Sequence, residues 1–180
     1  MALYRYLYLS FWKDSKVLEQ FTPDEKLLFI FFLTNSNTTQ IGVYKILIKE
    51  VSFLTGFTEE SVVIMMDRFE KDYKIIKYNK ITHEIAIVHW AKYNINRIGG
   101  KPVIDCIRSE LTRVDDYTLL EVITPYIKKE EIRNLYIEAI REGRCRDNKL
   151  GKSTDEYKKG EFLYEKPSEE QLRKARQLYN

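Results

Sequence analysis

A chain of 180 residues, 44% of them hydrophobic, with 13 Tyr, 9 Phe and 2 Trp, is long enough for one packed core and an appendage. The net charge of +3 lies in residues 141–180 and excludes neither a nucleic-acid partner nor a protein partner. No stretch is long and apolar enough for a transmembrane helix. Two distant cysteines and an N-terminus without a secretory pattern predict a cytoplasmic protein with reduced thiols.

The N-terminal segment Leu3–Phe11 alternates aromatic and aliphatic residues, which predicts a strand or an extended arm that leads into a turn at Trp12. The apolar surface of such an arm needs a partner, either the wing of its own chain or a second subunit. Because interfaces favour Tyr and Trp, we predict that the arm lies at a subunit interface. The predicted interface residues are Tyr4, Tyr6, Tyr8, Phe11 and Trp12.

A first long helix is predicted from Thr22 onwards. Thr22 is a good N-cap, Pro23 suits the first helical position, and Glu25 completes a capping box. The apolar run Leu27–Leu33 follows, and its length indicates a buried helix.

The next segments complete a recognisable order. A polar turn leads to a short strand that ends at Ile46, and a helix over Ile48–Leu54 stops at Gly56, a natural C-cap. Thr58 caps another helix that runs to about Asp72. Two β-rich runs, Lys74–Tyr78 and Glu84–Trp90, form a hairpin. The predicted common core is Phe29, Phe32, Val51, Leu54, Val62, Met66, Phe69 and Ile87.

These patterns predict a mostly α protein with a small β-hairpin, a winged helix-turn-helix domain followed by additional helices. Residues 1–100 form the winged-helix domain with its arm, and the connector Gly99–Gly100 ends it. Residues 101–142 form a helical extension, in which Cys106 is predicted to be a small core residue. Residues 143–180 are predicted to be a charged linker or tail, with a possible terminal helix over Ser168–Tyr179.

The sequence resembles the N-terminal domain of DnaD-type phage replication proteins. The resemblance lies in SFWKD, FTPDEKLLFIFFLTNSNTTQIGVYKI, DRF, IIKYN and EIAIVHWAKYNINRIGGKP, and covers about residues 1–112. It implies a winged-helix domain that self-associates and contributes to DNA or replisome docking. Family members usually continue into a second, DNA-binding helical domain, which the residues after about 115 do not obviously match.

The helix after Thr58 is the candidate recognition helix. Val62, Met66, Phe69 and Tyr73 form its inward stripe, whereas the outward stripe, Glu60, Ile64, Asp67 and Lys71 with Arg68 beside it, carries two carboxylates that repel phosphates. A scaffold helix is favoured over a helix that reads DNA sequence. The wing is the better candidate for non-specific phosphate contacts. The predicted DNA-binding residues are Lys74, Lys77, Lys80, His83, Arg97, Lys101, Arg68 and Lys71. The alternative is that these residues only solubilise a hairpin edge.

Catalysis is not expected, because nucleotide-binding loops, nucleophile elbows and paired catalytic carboxylates are absent from the sequence. His83 and His89 are predicted to share one face of a strand, but two histidines alone make a poor zinc site. Cys145 lies between Arg144 and Arg146, which favours a lowered thiol pKa, but no histidine is near in sequence to act as a base. We therefore predict no metal and no cofactor.

The leading hypothesis is a phage-encoded, non-enzymatic DNA replication accessory protein in the cytoplasm of the bacterial host. It would act by self-association and by non-specific contact with DNA or the replisome. The alternative is a phage regulator or inhibitor that uses the same scaffold to bind a host protein. A transcriptional repressor is disfavoured by the acidic face of the candidate recognition helix. The expected partners are a second copy of the chain, DNA, and a replisome or host protein, with no membrane.

Overall fold

The computed structural model of the chain describes residues 5–97 and 99–149, which are mostly helical with one small sheet. The α-helices of this part are α1 (Ser15–Glu19), α2 (Pro23–Thr34), α3 (Ile48–Thr55), α4 (Glu59–Lys71), α5 (Trp90–Tyr93), α6 (Lys101–Leu111), α7 (Thr118–Ile123) and α8 (Glu130–Lys149). The strands are β1 (Val43–Lys45), β2 (Ile76–Asn79) and β3 (Glu84–Ile87). Short 3₁₀ helices occupy Leu9–Lys13, Ile95–Arg97 and Thr124–Tyr126.

The three strands form one antiparallel sheet in which β3 is central. Val43 of β1 lies opposite Ala86, and Ile76 of β2 lies opposite Ile87. All four residues of β3 are buried. The predicted fold class, mostly α with a small β-hairpin, is confirmed, and the short strand predicted after the first long helix joins the hairpin as its third strand.

The order α2, β1, α3, α4, β2, β3 is the order predicted for the winged helix. Thr22 Oγ1 accepts a hydrogen bond from Glu25 N at 3.2 Å, and Glu25 Oε2 accepts one from Thr22 N at 2.8 Å, so the capping box is present. Gly56 ends α3 with a φ of 79°, and Thr58 Oγ1 accepts from Ser61 N at 3.2 Å at the start of α4. The helix boundaries therefore follow from local capping.

The core agrees with the sequence prediction except at one position. Six of the predicted core residues are buried, namely Phe32, Val51, Val62, Met66, Phe69 and Ile87, and Phe29 packs against them partly buried. Tyr73, two residues after the end of α4, is buried and continues its inward stripe as predicted. The prediction for Leu54 is wrong, since 54% of its surface is exposed. Ile48 and Val51 set the inward direction of α3, and at about 100° per residue Leu54 falls to one side of it.

The N-terminal arm differs from its prediction. Residues 5–8 have no regular secondary structure, Leu9–Lys13 is a 3₁₀ helix rather than a strand, and α1, which was not predicted, follows. Asp14 Oδ1 caps α1 by accepting from Lys16 N at 3.0 Å. The alternation of apolar residues therefore belongs to an irregular segment and not to a strand.

The helical extension belongs to the same core as the winged helix. Tyr136 of α8 donates a hydrogen bond to Ile41 O at 2.9 Å, and Glu110 of α6 accepts from Gln40 N at 2.8 Å and from Ile41 N at 3.2 Å. One hydrophobic cluster runs from Val17 to Ile140. The connector at Gly99–Gly100 thus separates two parts of the sequence that share one interior.

The prediction of a linker from residue 143 is wrong for its first residues, because α8 continues to Lys149. Gly143 is buried against the ring of Tyr117, and a Cβ on Gly143 would lie 2.4 Å from Cδ1 of that ring. This glycine permits close packing rather than ending the helix. The remainder of the predicted tail, with the possible helix over 168–179, lies outside the described residues. Within 5–97 and 99–149, no helix has the length and apolar character needed to cross a membrane.

Candidate binding surfaces

The predicted phosphate-binding residues of the hairpin of β2 and β3 lie at both of its ends and on β2. Lys74 is exposed just before β2, with a left-handed φ of 53°. His83 is exposed in the turn before β3, at the other end of the hairpin, with a φ of 57°. Between them, Lys77 Nζ lies 2.7 Å from Glu70 Oε1 of α4. One of these cations is therefore already paired within the chain.

Acidic residues of α4 also lie near a lysine of α4 itself and near Lys80 of the hairpin turn. Lys71 Nζ lies 2.6 Å from Asp67 Oδ1, an (i, i+4) pair. Burial lowers the pKa of Lys80 to about 8, and the carboxylates of Asp67 and Glu70 act in the opposite direction. The carboxylates of α4 thus lie beside the lysines of this region and weaken their attraction for phosphates.

The Arg68 guanidinium is bound by a buried carboxylate and a tyrosine of its own chain. Its Nη1 lies 2.7 Å from Oε1 of Glu25, whose side chain is fully buried at the start of α2. Its Nη2 donates a hydrogen bond to Tyr73 Oη at 2.6 Å, and Tyr73 Oη donates to Gln20 O at 3.0 Å. These contacts hold α4 against α2 and the segment before it, so the guanidinium is engaged within the chain.

The two remaining predicted cations lie apart from the hairpin. The Arg97 guanidinium lies 4.4 Å from the ring centroid of Tyr8, a cation–π contact that fixes the arm. Lys101 is exposed in the first turn of α6. The structure therefore distributes the predicted DNA-binding residues over the hairpin, α4, the 3₁₀ helix Ile95–Arg97 and α6.

A large cleft of about 800 Å³ lies between the hairpin turn, the start of α3 and α8. Its charged lining comprises the cations Lys45 and Arg146 and the carboxylates Glu50, Asp115 and Asp147, together with the imidazole of His83. Lys45 Nζ lies 2.6 Å from Asp115 Oδ2. Because the three carboxylates outnumber the lysine and the arginine, this cleft is a poor site for a nucleic-acid backbone.

The histidine and cysteine predictions require correction. His83 precedes β3 in a turn, whereas His89 follows β3 at the N-cap position of α5, with its ring centroid 4.6 Å from that of Tyr126. The two therefore do not share a strand face. Cys106 is exposed, because one residue along a helix turns it about 100° away from buried Ile107. Burial and nearby Glu110 raise the pKa of the Cys106 thiol. Cys145 is also exposed. Among the described residues, no three His, Cys, Asp or Glu side chains gather as a metal site requires.

The arm has two faces. Tyr8 and Phe11 turn towards the body: Tyr8 Oη donates to Tyr93 O at 3.1 Å, and the Phe11 ring lies 6.3 Å from that of Phe29. Leu9 is 81% exposed and Trp12 is 50% exposed. A 3₁₀ helix has three residues per turn, so Leu9 and Trp12 share one side. The arm thus covers its own body and presents an apolar outer side.

Tyr6, in the irregular segment before this 3₁₀ helix, is 72% exposed. We call Tyr6, Leu9 and Trp12 the outer arm surface. Of the predicted interface residues, Tyr6 and Trp12 belong to it, Tyr8 and Phe11 do not, and Tyr4 lies outside the described residues. Leu9 was missed, because the period of three becomes visible only once the segment is known to be a 3₁₀ helix.

A second apolar surface lies on α3. Phe53 is 86% exposed and points away from the core residue Val51, and Leu54, beside it in the sequence, is 54% exposed. We call Phe53 and Leu54 the α3 surface. Single exposed apolar side chains are common, but two large neighbouring ones are more typical of a binding surface.

Searches with protein-family models, among curated proteins and among solved structures found no match to this chain. The resemblance to DnaD-type proteins therefore rests on the sequence segments quoted above.

Proposed function

We propose that this protein is a non-enzymatic winged-helix module that acts by self-association through the outer arm surface. The observation that carries the proposal is the division of the arm into an inner side that packs on its own chain and an outer side that exposes Tyr6, Leu9 and Trp12. Aromatic residues are enriched at interfaces because they bury a large area for little loss of side-chain entropy. The resemblance to DnaD-type replication proteins supports a role of the assembled form in a phage replisome.

Changing the outer arm surface tests this proposal. We expect a Tyr6→Ser, Leu9→Ser, Trp12→Ser variant to lower the mass measured by light scattering across a concentration series, because the apolar area lost would otherwise be buried between subunits. The matched control is a Phe53→Ser, Leu54→Ser variant, which removes the α3 surface and should keep the wild-type mass. A monomeric wild-type protein, or a loss of mass in the control alone, would contradict the proposal.

A second candidate function is binding of a host protein through the α3 surface, as a regulator or inhibitor. The exposure of Phe53 favours it, since an 86% exposed phenylalanine on an ordered helix has no role in the core. In this case the α3 surface variant is the test and the outer arm variant is the control. Replacing Phe53 and Leu54 would abolish capture of the host protein, while the outer arm variant would retain it.

We expect non-specific DNA binding to be weak, because carboxylates of α4 pair with Lys71 and Lys77. Releasing these lysines by Asp67→Asn and Glu70→Gln should strengthen duplex binding and steepen the log–log salt dependence by about 0.9 for each additional phosphate that a lysine neutralises. Fluorescence anisotropy on two unrelated duplexes at several salt concentrations measures both effects. Strong wild-type binding that Lys74→Gln, Lys77→Gln and Lys80→Gln abolish would instead support DNA binding as the function.

A further inference from the structure

A cavity of about 320 Å³ lies between the N-terminal arm and the body of the protein. Its apolar lining includes the buried side chains of Phe21, Ile87 and Trp90. Its polar lining includes the exposed residues Lys16 and Lys92, which mark where it meets solvent. The cavity is therefore lined mainly by apolar side chains, with two lysines where it meets solvent.

The charges at this edge are predominantly positive. Lys92 Nζ lies 5.1 Å from the ring centroid of Tyr93, and Lys16 Nζ makes a long hydrogen bond of 3.4 Å to Tyr73 O. Asp14 supplies a carboxylate, which caps α1 through Lys16 N. Among the residues that the structure describes, neither ammonium group forms an ion pair, so both can turn towards a ligand.

His89, which also lines the cavity, reports the local electrostatics. Burial lowers the pKa of its imidazole, and the ammonium groups of Lys92 and Lys16 lower it further. Asp14 acts in the opposite direction with a smaller effect. The two lysines thus outweigh the carboxylate at this edge of the cavity.

We propose that the cavity binds a small amphipathic carboxylate, with one alkyl chain against the buried apolar lining and the carboxylate at the edge that carries Lys16 and Lys92. Small-molecule sites occupy about 300–1,000 Å³, so a cavity of about 320 Å³ suits a single short chain rather than a lipid with two tails. The cationic edge complements a carboxylate and opposes a cationic ligand of the same shape. This inference does not depend on self-association of the chain.

Octanoate is the probe, and Trp90 is the reporter. The chain has two tryptophans, so a Trp12→Phe variant leaves Trp90, which lines the cavity, as the sole tryptophan. We expect octanoate to change Trp90 emission saturably, well below its micelle-forming concentration. Octylamine has the same chain and the opposite charge, and we expect it to bind about tenfold more weakly or not at all.

Substitution of Lys16 and Lys92 tests whether the lysines at the edge of the cavity bind the carboxylate. In the Trp12→Phe background, Lys16→Gln with Lys92→Gln should weaken octanoate binding about tenfold, since charge-assisted hydrogen bonds are lost. Lys49 is an exposed lysine of α3 that does not line the cavity, so Lys49→Gln should leave octanoate binding unchanged. Absence of saturable binding, equal binding of octanoate and octylamine, or equal effects of the two sets of lysine substitutions would overturn the proposal.

Discussion

We expect Arg68→Ala to lower the free energy of unfolding by about 3 kcal/mol. Arg68 is the ion-pair partner of Glu25, which is fully buried, and it also donates a hydrogen bond to Tyr73. Removing one partner of a buried ion pair costs about 3–5 kcal/mol, because the remaining charge is left in a poorly solvating site. The lower end applies here because the Arg68 side chain is itself 41% exposed. Urea unfolding followed by circular dichroism measures the loss.

Lys71→Ala is the matched control. Lys71 is one helical turn away from the Arg68 site and forms an ion pair with Asp67, but its side chain is 63% exposed. Surface pairs of this kind contribute about 0–1 kcal/mol, so the control should cost less than about 1 kcal/mol. Equal losses in the two variants would mean that Glu25 does not depend on Arg68, and that Arg68 remains available for DNA.

Much of the winged helix could be predicted because its signals are local. The capping box at Thr22, the C-cap at Gly56 and the N-cap at Thr58 each involve residues within a few positions of one another. The inward stripe of α4 follows from helical periodicity alone. Where the physical cause lies within one or two turns of chain, the sequence contains enough information to predict the structure.

The incorrect predictions arise from contacts between residues distant in the sequence. Gly143 resembles a helix breaker until the buried ring of Tyr117 is seen against it. Leu54 and Cys106 have core-like chemistry, but the direction in which each helix faces depends on what it packs against. Helical periodicity fixes the relative directions of side chains and not which side meets the core.

The same reason limits prediction of the candidate surfaces. The pairing of Lys77 with Glu70 and of Arg68 with Glu25 joins different elements, so the net charge of a sequence segment overstates the cations available to a partner. Conversely, Leu9 was not predicted to be exposed, because its segment resembled a strand. Our proposal of self-association rather than DNA binding rests on this arrangement of side chains, which composition does not reveal.

A second large loss of stability is expected from substitution of Gly42, which lies just before β1. Its φ is 77°, and a Cβ there would lie 2.3 Å from Cγ of Trp90. Trp90 is 2% exposed and donates a hydrogen bond from Nε1 to Gln40 O at 2.8 Å, while Ile87 N donates to Gly42 O at 3.0 Å. The ring and the backbone are therefore both held in place.

Gly42→Ala should lower the free energy of unfolding by about 2–5 kcal/mol, because a left-handed alanine costs about 1–2 kcal/mol and overpacking of a core costs about 1–3 kcal/mol. Gly56→Ala separates these two causes, because Gly56 has a φ of 79° but nothing within 4 Å of the added Cβ. We expect it to lose only about 1–2 kcal/mol. Urea unfolding followed by Trp fluorescence gives both values. If the two variants lose the same free energy, then Trp90 moves aside without cost and does not fix the close contact between α5 and the start of β1.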